Sequence, residues 1–284
     1  FTIFPPCGSV GACRSEELAY AAAAITAAEL RAVGINMNMA PVLDVHSNRD
    51  NPVIGDRAYG TEPDVVAELG LAAIRGFQGK GVVACGKHFP GHGDTSTDSH
   101  KELPVVKVPA EVLFERELPP FRRATANGLA SIMTAHVVYP ALDAQRPATL
   151  SPAILTGLLR EQWGFDGVVV TDDLEMHAIS DHHGIGDAAV QAFLAGADIL
   201  LICKDRGRAV VAMDAVRKAV ELGTIPADRL KASLRRILQL KRKFLRSHLP
   251  ADPGIAQLVV GCRTHQVLLD AIRRTHERLP KAQT

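Results

Sequence analysis

Residues 81–100 have the sequence GVVACGKHFPGHGDTSTDSH, in which a short apolar run leads into a loop of ionisable side chains. The run ends in Gly and Pro, a pattern typical of a buried strand that gives way to a loop. The loop, residues 87–100, contains one lysine, three histidines and two aspartates. In barrel and open-sheet α/β proteins, the chemistry lies at the carboxyl ends of the strands. Packing alone does not concentrate titratable groups in this way, so the stretch indicates an enzyme.

On both sides of this stretch, apolar runs rich in β-forming residues alternate with helical patterns. The strands are predicted at residues 35–45, 82–87, 131–137, 167–171 and 198–203. The helices are predicted at residues 15–33, 63–78, 110–126, 152–162 and 187–195, and further along at 208–222, 229–244 and 256–272. Strict alternation with short connections indicates an α/β fold with a parallel sheet and right-handed crossovers. Five strands are visible, whereas a closed barrel needs eight.

The composition argues against several other classes of protein. A chain of 284 residues can bury a large core, and a net charge of +1 gives no support for nucleic-acid binding. No apolar run has the length of a membrane span. The five cysteines are scattered and form no CxxC pair, which favours reduced thiols over a disulfide framework. We expect a cytoplasmic protein without a cofactor, although a chain that begins at Phe1 carries no information on export.

Three motifs, in this order along the chain, resemble those of glycoside hydrolase family 3 in its β-N-acetylglucosaminidase branch. They are APVLDV followed by NPVIGDR (residues 40–57), KHFPGHG followed by DSH (residues 87–100) and GFDGVVVTDDLEM (residues 164–176). The resemblance implies a TIM-type (β/α)8 barrel in residues 1–250, with residues 251–284 as a C-terminal helical extension. It also implies an exo-glycosidase that removes a terminal β-linked N-acetylglucosamine with retention, from cell-wall muropeptide fragments or chitin-type oligosaccharides.

The resemblance further implies that part of the barrel has no counterpart in this sequence. Residues 1–5 resemble a stretch of the family's sequence. In the family, that stretch is preceded by the first two barrel strands and by an Asp-Gln-Glu-Gly-Gly segment that ends in arginine. We therefore expect the strand at residues 35–45 to have either an exposed edge or a neighbour from outside this chain. An unpaired edge invites aggregation, and lost sugar contacts weaken positioning, so we also expect the isolated chain to have little activity.

Asp172 is the candidate nucleophile. Glycoside cleavage passes through an oxocarbenium-like state, which needs an anion near the anomeric carbon. Asp172 ends the predicted strand at residues 167–171, whereas Asp173 points elsewhere because successive strand residues face opposite ways. The resemblance assigns the nucleophile to the first aspartate of the pair. The alternative is that the second aspartate begins a helix as an ordinary N-cap residue.

Asp98 and His100 are the candidate acid-base pair. They are two residues apart in a loop, a spacing that lets a carboxylate bond one imidazole nitrogen, fix its tautomer and favour the protonated ring. The resemblance assigns the histidine as acid and base, and the aspartate as its partner. The alternative is that both are ordinary turn residues in a polar loop.

Arg57, Lys87, His88 and His136 are the candidate substrate-binding residues. Lys87 and His88 follow a predicted strand and can donate to sugar hydroxyls, and the resemblance implies this role for them and for Arg57. Arg57 could instead form a surface ion pair with a nearby carboxylate, Asp56 or Glu62. His136 either faces the site or is a core histidine whose hydrogen bonds are satisfied internally.

Three other functions stay open on the residues alone. A metal-dependent hydrolase would draw its zinc ligands from one set of side chains, His88, His92, Asp94, Asp98 and His100. The sequence has no HExxH helix, and glycines flank His92, so we expect no metal. A β-N-acetylglucosaminide phosphorylase is the second, because a histidine as acid-base group leaves less negative charge near the water site than a glutamate would, and phosphate could enter. A non-catalytic sugar-binding barrel is the third.

Overall fold

Five parallel strands form the centre of the molecule in a computed structural model, which describes residues 1–245 and 251–278. The strands of the described part are β1 (Met37–Asn38), β2 (Val83–Phe89), β3 (Ser131–Thr134), β4 (Val138–Tyr139), β5 (Asp143–Pro147), β6 (Val168–Asp173) and β7 (Ile199–Leu201). β1, β2, β3, β6 and β7 lie side by side in that order and run parallel, whereas β4 and β5 form a separate antiparallel ribbon. The central strands β2 and β3 are buried on both faces, which is why they read as continuous apolar runs.

The parallel sheet is curled into part of a barrel and confirms the predicted fold class, a TIM-type α/β barrel of which the described residues supply five strands. Cys85 lies opposite Ser131, which lies opposite Val168, so neighbouring strands end at the same edge of the sheet. Within the described residues, β1 pairs only with β2, and β7 pairs only with β6. The run at residues 35–45 therefore lies at an edge of the sheet, as predicted.

The first strand is much shorter than predicted. Only Met37–Asn38 forms a regular ladder, although the chain stays beside β2 as far as an isolated bridge between Val42 and Lys87. Pro41 has no N–H group to donate to a ladder, so the pairing becomes irregular after β1. The bent run carries residues 43–45 into the core, and Asp44 is completely buried next to the carboxyl end of β2.

Most of the predicted helices are present. Those of the described residues are α1 (Cys7–Ala12), α2 (Glu16–Ala32), α3 (Pro63–Gly79), α4 (Ala110–Val112), α5 (Pro119–Ala126), α6 (His177–Ser180), α7 (Ile185–Ala195), α8 (Arg206–Glu221), α9 (Ala227–Leu245), α10 (Pro253–Val259) and α11 (Arg263–Glu277). Two π-helical segments, Leu113–Glu117 and Ala153–Gln162, and two short 3-10 helices, Gly55–Arg57 and Ala148–Leu150, are also present. Ser15 caps α2 by accepting a hydrogen bond from the backbone of Leu18. None of the described helices combines the length and the apolar character needed to cross a membrane.

Two predicted helices are broken, and a residue type explains each break. The segment 110–126 consists of α4, a π-helical turn and α5, because Pro119 and Pro120 have no N–H groups to continue an α-helical ladder. The segment 256–272 belongs to two helices, α10 and α11, which are separated near Gly261, whose φ of 65° lies in the left-handed region. The predictions also missed the short elements α1, α6, β4 and β5.

One buried carboxylate joins the first residues and the last described helices to α2. Glu29 accepts hydrogen bonds from Thr2 N (2.7 Å), Thr2 Oγ1 (2.6 Å), Gly261 N (2.9 Å) and His265 Nδ1 (2.7 Å). Burial opposes the ionisation of Glu29, but these bonds outweigh burial and lower its pKa to about 2. α10 and α11 thereby pack against α2. The predicted boundary between barrel and extension, between residues 250 and 251, falls at the end of a segment outside the described residues, 246–250, and stays a prediction.

Candidate active site

Ionisable side chains converge at the carboxyl ends of β2, β3 and β6. Lys87 and His88 lie near the end of β2, His136 follows β3, and Asp172 lies near the end of β6. Electrostatic effects of His136, His88 and Lys87 are felt by the carboxyl group of Asp172. The structure thus brings these four predicted residues into one site.

Asp172 is a half-buried carboxylate in an electropositive setting. Burial opposes its ionisation, but the electrostatic effects of His136, His88 and Lys87, together with a backbone hydrogen bond, outweigh burial and hold its pKa below the ordinary value. In that bond, the backbone N–H of Asp173 donates to Asp172 Oδ1 at 2.8 Å. Asp172 is therefore an anion at neutral pH, as a glycosidase nucleophile must be.

The side chain of Asp173 is engaged elsewhere. Its Oδ1 accepts hydrogen bonds from Glu175 N at 3.0 Å and from Cys203 N at 3.3 Å, and so connects the end of β6 to the segment after β7. The N-cap alternative is not observed, because α6 begins at His177 and its N-cap residue is Met176. The two adjacent aspartates have different surroundings and different partners.

Asp44 holds His88 in place, and the sequence analysis gave it no role. Asp44 Oδ2 lies 2.7 Å from His88 Nδ1, and Oδ1 accepts from the backbone N–H groups of His88 (3.0 Å) and His92 (2.7 Å). Burial opposes the ionisation of Asp44, yet the two histidines keep its pKa below the ordinary value. Nδ1 of His88 therefore carries a proton, and the ring presents Nε2 to the site. A signal was available, because packing does not favour an acid between Leu43 and Val45 in an apolar run.

Lys87 and Arg57 line one cavity of about 460 Å³ beside the first strand. Burial and the positive charge of Arg57 lower the pKa of Lys87, whereas the negative charge of Asp172 acts in the opposite direction. The surface ion pair considered for Arg57 is absent from the described residues, and Glu62 pairs with Arg14 instead. Both cations are thus available to a ligand in the cavity.

His136 is satisfied inside the protein. Its Nδ1 lies 2.7 Å from Thr149 Oγ1, its Nε2 lies 3.0 Å from the carbonyl oxygen of Asp173, and the residue is buried. Because a carbonyl only accepts, Nε2 carries the proton of the neutral ring, and the Thr149 hydroxyl lies within hydrogen-bond distance both of Nδ1 and of the carbonyl oxygen of Ala135, at 3.0 Å. Burial lowers the pKa of His136 and so favours this neutral form at neutral pH. These contacts match the core-histidine alternative, and they connect the end of β3 to the end of β6.

Asp98 and His100 form a hydrogen-bonded pair with the predicted spacing. His100 Nδ1 lies 2.7 Å from Asp98 Oδ1, and the backbone N–H of His100 donates to the same oxygen at 2.9 Å. Burial opposes the ionisation of Asp98, but the bonds from His100 outweigh it and keep the pKa of Asp98 below the ordinary value. The His100 side chain is 61% exposed, so the ring is accessible to a substrate and to water.

A buried histidine lies beneath this pair. His92 Nδ1 is 2.8 Å from Thr95 Oγ1, and His92 Nε2 is 3.1 Å from Ser99 Oγ, the residue between Asp98 and His100. Burial, with a smaller electrostatic effect of His88, lowers the pKa of His92 to about 4, so its ring is neutral at neutral pH.

The backbone of this loop is also fixed. Asn51 Nδ2 donates to the carbonyl oxygens of His92 (2.9 Å) and Gly93 (3.0 Å). A Cβ atom at Gly93 would lie 1.5 Å from the carbonyl oxygen of Val45, so only glycine fits there. The glycine beside His92 thus allows two backbone segments to touch.

The loop histidines already have partners other than a metal. His88 bonds Asp44, His92 bonds two hydroxyl groups, and His100 bonds Asp98. In the part of the chain that the structure describes, no group of three or more His, Cys, Asp or Glu side chains is arranged to hold a metal ion. Turnover with and without a chelator tests the metal-dependent alternative directly.

The curled parallel sheet and the anionic carboxylate at its carboxyl edge define a barrel-type α/β protein with a candidate hydrolytic site. The chain belongs to glycosyl hydrolase family 3, because residues 1–240 match the model of the N-terminal domain of that family. The resemblance of its three motifs to this family is thereby confirmed.

Known relatives agree with this assignment. The β-hexosaminidase A of Pseudoalteromonas piscicida is 41% identical in an alignment 260 positions long that covers 84% of this chain and 43% of that protein. The structure of a glycoside hydrolase family 3 β-N-acetylglucosaminidase from Paenibacillus sp. str. FPU-7 has a TM-score of 0.92 and 47% identity, covering 97% of this chain and 52% of that one. The β-glucoside phosphorylase BglX has a TM-score of 0.89 and 25% identity, covering 95% of this chain and 50% of that one. The chain spans about half the length of these relatives.

Proposed function

We propose that the protein is a retaining exo-glycosidase that removes a terminal β-linked N-acetylglucosamine. The observation that carries this proposal is the anionic Asp172 at the end of β6, beside His88 and Lys87. The preformed pair of Asp98 and His100 supports it, because the pair lies on the loop that follows β2. An anion together with a proton donor is what cleavage of a glycosidic bond requires.

The reaction would proceed in two steps. In the first, Asp172 attacks the anomeric carbon while His100 donates a proton to the leaving oxygen, so that the glycosidic C–O bond breaks and a glycosyl-aspartate forms. In the second, His100 takes a proton from water, the water oxygen attacks the same carbon, and the carboxylate of Asp172 leaves. Asp98, bonded to Nδ1 of His100, holds the orientation of the ring in both steps.

The substrate class follows from the cationic side chains and from the relatives. Lys87 and Arg57 are placed to donate to sugar hydroxyls, and Nε2 of His88 is placed to form a hydrogen bond with one of them. Two of the relatives described above are named a β-hexosaminidase and a β-N-acetylglucosaminidase. These names support N-acetylglucosamine as the sugar. Cell-wall muropeptide fragments or chitin-type oligosaccharides would supply it. All five cysteines are free, which supports a reducing compartment such as the cytoplasm.

Proton NMR of the first product tests the proposal. The full-length natural protein would be given a β-linked aryl N-acetylglucosaminide, and the anomer of the released sugar would be followed before it equilibrates in water. Retention predicts that the β-anomer accumulates first. Early accumulation of the α-anomer would contradict the two-step mechanism, and binding without any turnover would favour the sugar-binding barrel.

A phosphorylase is the second candidate function, and one observation favours it. The structural neighbour BglX is a β-glucoside phosphorylase. A histidine in the acid-base role also leaves the water site less negative than a carboxylate would, which suits an incoming phosphate. Product analysis with and without inorganic phosphate decides between the two. A sugar 1-phosphate would identify a phosphorylase, whereas free sugar at an unchanged rate would identify a hydrolase.

A further inference from the structure

The loop that carries Asp98 and His100 needs an anchor outside itself. The bonds between these two residues are internal to the loop, and residues 98–102 form only turns and a bend. Internal bonds fix the ring relative to Asp98 but not relative to a sugar held at β2 and β6. Misplacement of a catalytic group by about 1 Å can cost roughly 10²-fold in rate.

We propose that a buried chain of hydrogen bonds, Asp44–His92–Ser99, is this anchor and positions the acid-base pair over the site. The inference rests on the proposed function, and it assigns His92 and Ser99 as positioning residues that do not touch the reacting atoms. Ser99 is 3% exposed although both of its chain neighbours are more open to solvent. It therefore fixes the loop from below.

Ser99 has contacts on two sides. Its Oγ lies 3.1 Å from His92 Nε2, and its carbonyl oxygen accepts a hydrogen bond from the backbone of Ala178 at 3.3 Å. Ala178 belongs to α6, which follows β6 and hence follows Asp172 in the chain. Ser99 thus ties the segment around Asp98 and His100 both to the beginning of the same loop, at His92, and to the segment after the nucleophile.

The neutral ring of His92 suits this position. A neutral imidazole has one donor and one acceptor, and its two partners are hydroxyl groups, Thr95 Oγ1 and Ser99 Oγ, each of which can donate or accept. Both bonds can therefore form in either tautomer. Because both are buried, they exclude water that would otherwise compete for the hydroxyl of Ser99.

Asp44 connects the hydrogen bonds of His92 and Ser99 to His88, on the opposite side of the site. The same oxygen, Oδ1, accepts from the backbone N–H groups of His92 and His88, while Oδ2 bonds the ring of His88. The position of His88 against the sugar and the position of His92 below Ser99 are consequently set by one carboxylate. The distance between the nucleophile side and the acid-base side of the site is fixed through it.

The test is a comparison of leaving groups. Ser99→Ala removes one buried hydroxyl group, and Ser96→Ala, at an exposed serine of the same loop, is the matched control. Both would be made in the full-length natural protein and assayed with an activated aryl N-acetylglucosaminide and with a disaccharide. A disaccharide needs protonation of its leaving oxygen, whereas the aryl group barely needs it. We expect Ser99→Ala to lower kcat for the disaccharide roughly ten- to a hundredfold, with a much smaller change for the aryl glycoside.

A second variant interrupts the same series of hydrogen bonds at His92. His92→Phe keeps the bulk of the ring but removes both nitrogens, and it should give the same difference between substrates. Equal losses on both substrates, or no loss in folded Ser99→Ala, would overturn the positioning role. Thermal unfolding of each variant shows whether the fold is intact.

His100→Ala in the same assay distinguishes failure of the proposed function from failure of the positioning role. If His100→Ala shows no preference for the activated substrate, the proposed function itself is wrong. If His100→Ala shows the preference but Ser99→Ala and His92→Phe do not, only the positioning role is wrong.

Discussion

Asp172 and His100 are proposed to act on the same bond, yet they lie in opposite settings. Asp172 is half-buried at the end of a strand, and its pKa is lowered by His136, which follows β3, and by His88 and Lys87 at the end of β2. His100 is 61% exposed on a loop of turns and bends, and its partner is two residues away. A nucleophile has to stay ionised and fixed, whereas a group that alternates between acid and base has to exchange protons with water. The difference in burial thus suits Asp172 to the role of nucleophile and His100 to the role of acid-base group.

The largest effect is expected for Asp172→Asn. The amide is nearly isosteric but carries no negative charge, so turnover should fall to background on activated and natural substrates alike. Asp173→Asn is the control, because it keeps the Oδ1 that accepts from Glu175 and Cys203 and should leave most of the activity. Steady-state rates, with circular dichroism to confirm the fold, measure both. Similar losses in the two variants would remove the distinction between the adjacent aspartates.

His100→Ala should have the next largest effect, and only on one class of substrate. General acid-base catalysis supplies roughly 10²–10⁴-fold, so a loss of about that size is expected for a disaccharide and a much smaller one for an activated aryl glycoside. Asp98→Asn keeps the shape of the partner and should lose less. Rates of both variants on both substrates are the measurement, and equal losses on the two substrates would count against the acid role.

Glu29→Gln should change stability without touching either half of the site. The pKa of Glu29 is lowered from 4.5 to about 2 in the folded protein, so its contribution is fully present above pH 4.5 and is lost as the pH falls towards 2. The size of that contribution is on the order of 3 kcal/mol. Urea unfolding at a series of pH values should therefore show a gap between the two proteins that closes from pH 4.5 downward, while kcat is unchanged. A gap that does not depend on pH would contradict this origin.

Gly93→Ala should lower stability at the point where the acid-base loop rests on the core. A Cβ there would lie 1.5 Å from the carbonyl oxygen of Val45, and because this neighbour is backbone, the overpacking should cost at least about 1–3 kcal/mol. Gly60→Ala is the control, since nothing lies within 4 Å of a Cβ at that position. Melting temperatures should fall for the first variant and stay near the wild-type value for the second. Equal melting temperatures of the two variants would show that the loop accommodates a Cβ at Gly93 without loss of stability.

The sequence predicts those parts of the site that short segments determine. The apolar run that ends at Lys87 and His88 is observed as β2, and the pair of Asp98 and His100 forms because its members are two residues apart. Asp172 lies near the end of β6, as the run before it indicates. In each case the physical cause lies within a few residues.

Contacts between distant segments could not be predicted in the same way. Asp44 was part of a predicted strand, and its bonds to His88 and His92 exist only because the irregular run after Pro41 lies beside β2. The bond from His92 to Ser99 likewise depends on how the loop folds back on itself. Hydrophobic pattern and secondary-structure propensity carry no information on such pairings. These pairings set the relative positions of the proposed catalytic groups.

The most direct test of the central claim is to trap the nucleophile. A slowly hydrolysed fluorinated N-acetylglucosaminide would be incubated with the full-length natural protein, and mass spectrometry of the digested protein would locate the attached sugar. Attachment to Asp172 is the expected result. Attachment to Asp173, or full turnover of the sugar in Asp172→Asn, would contradict the assignment.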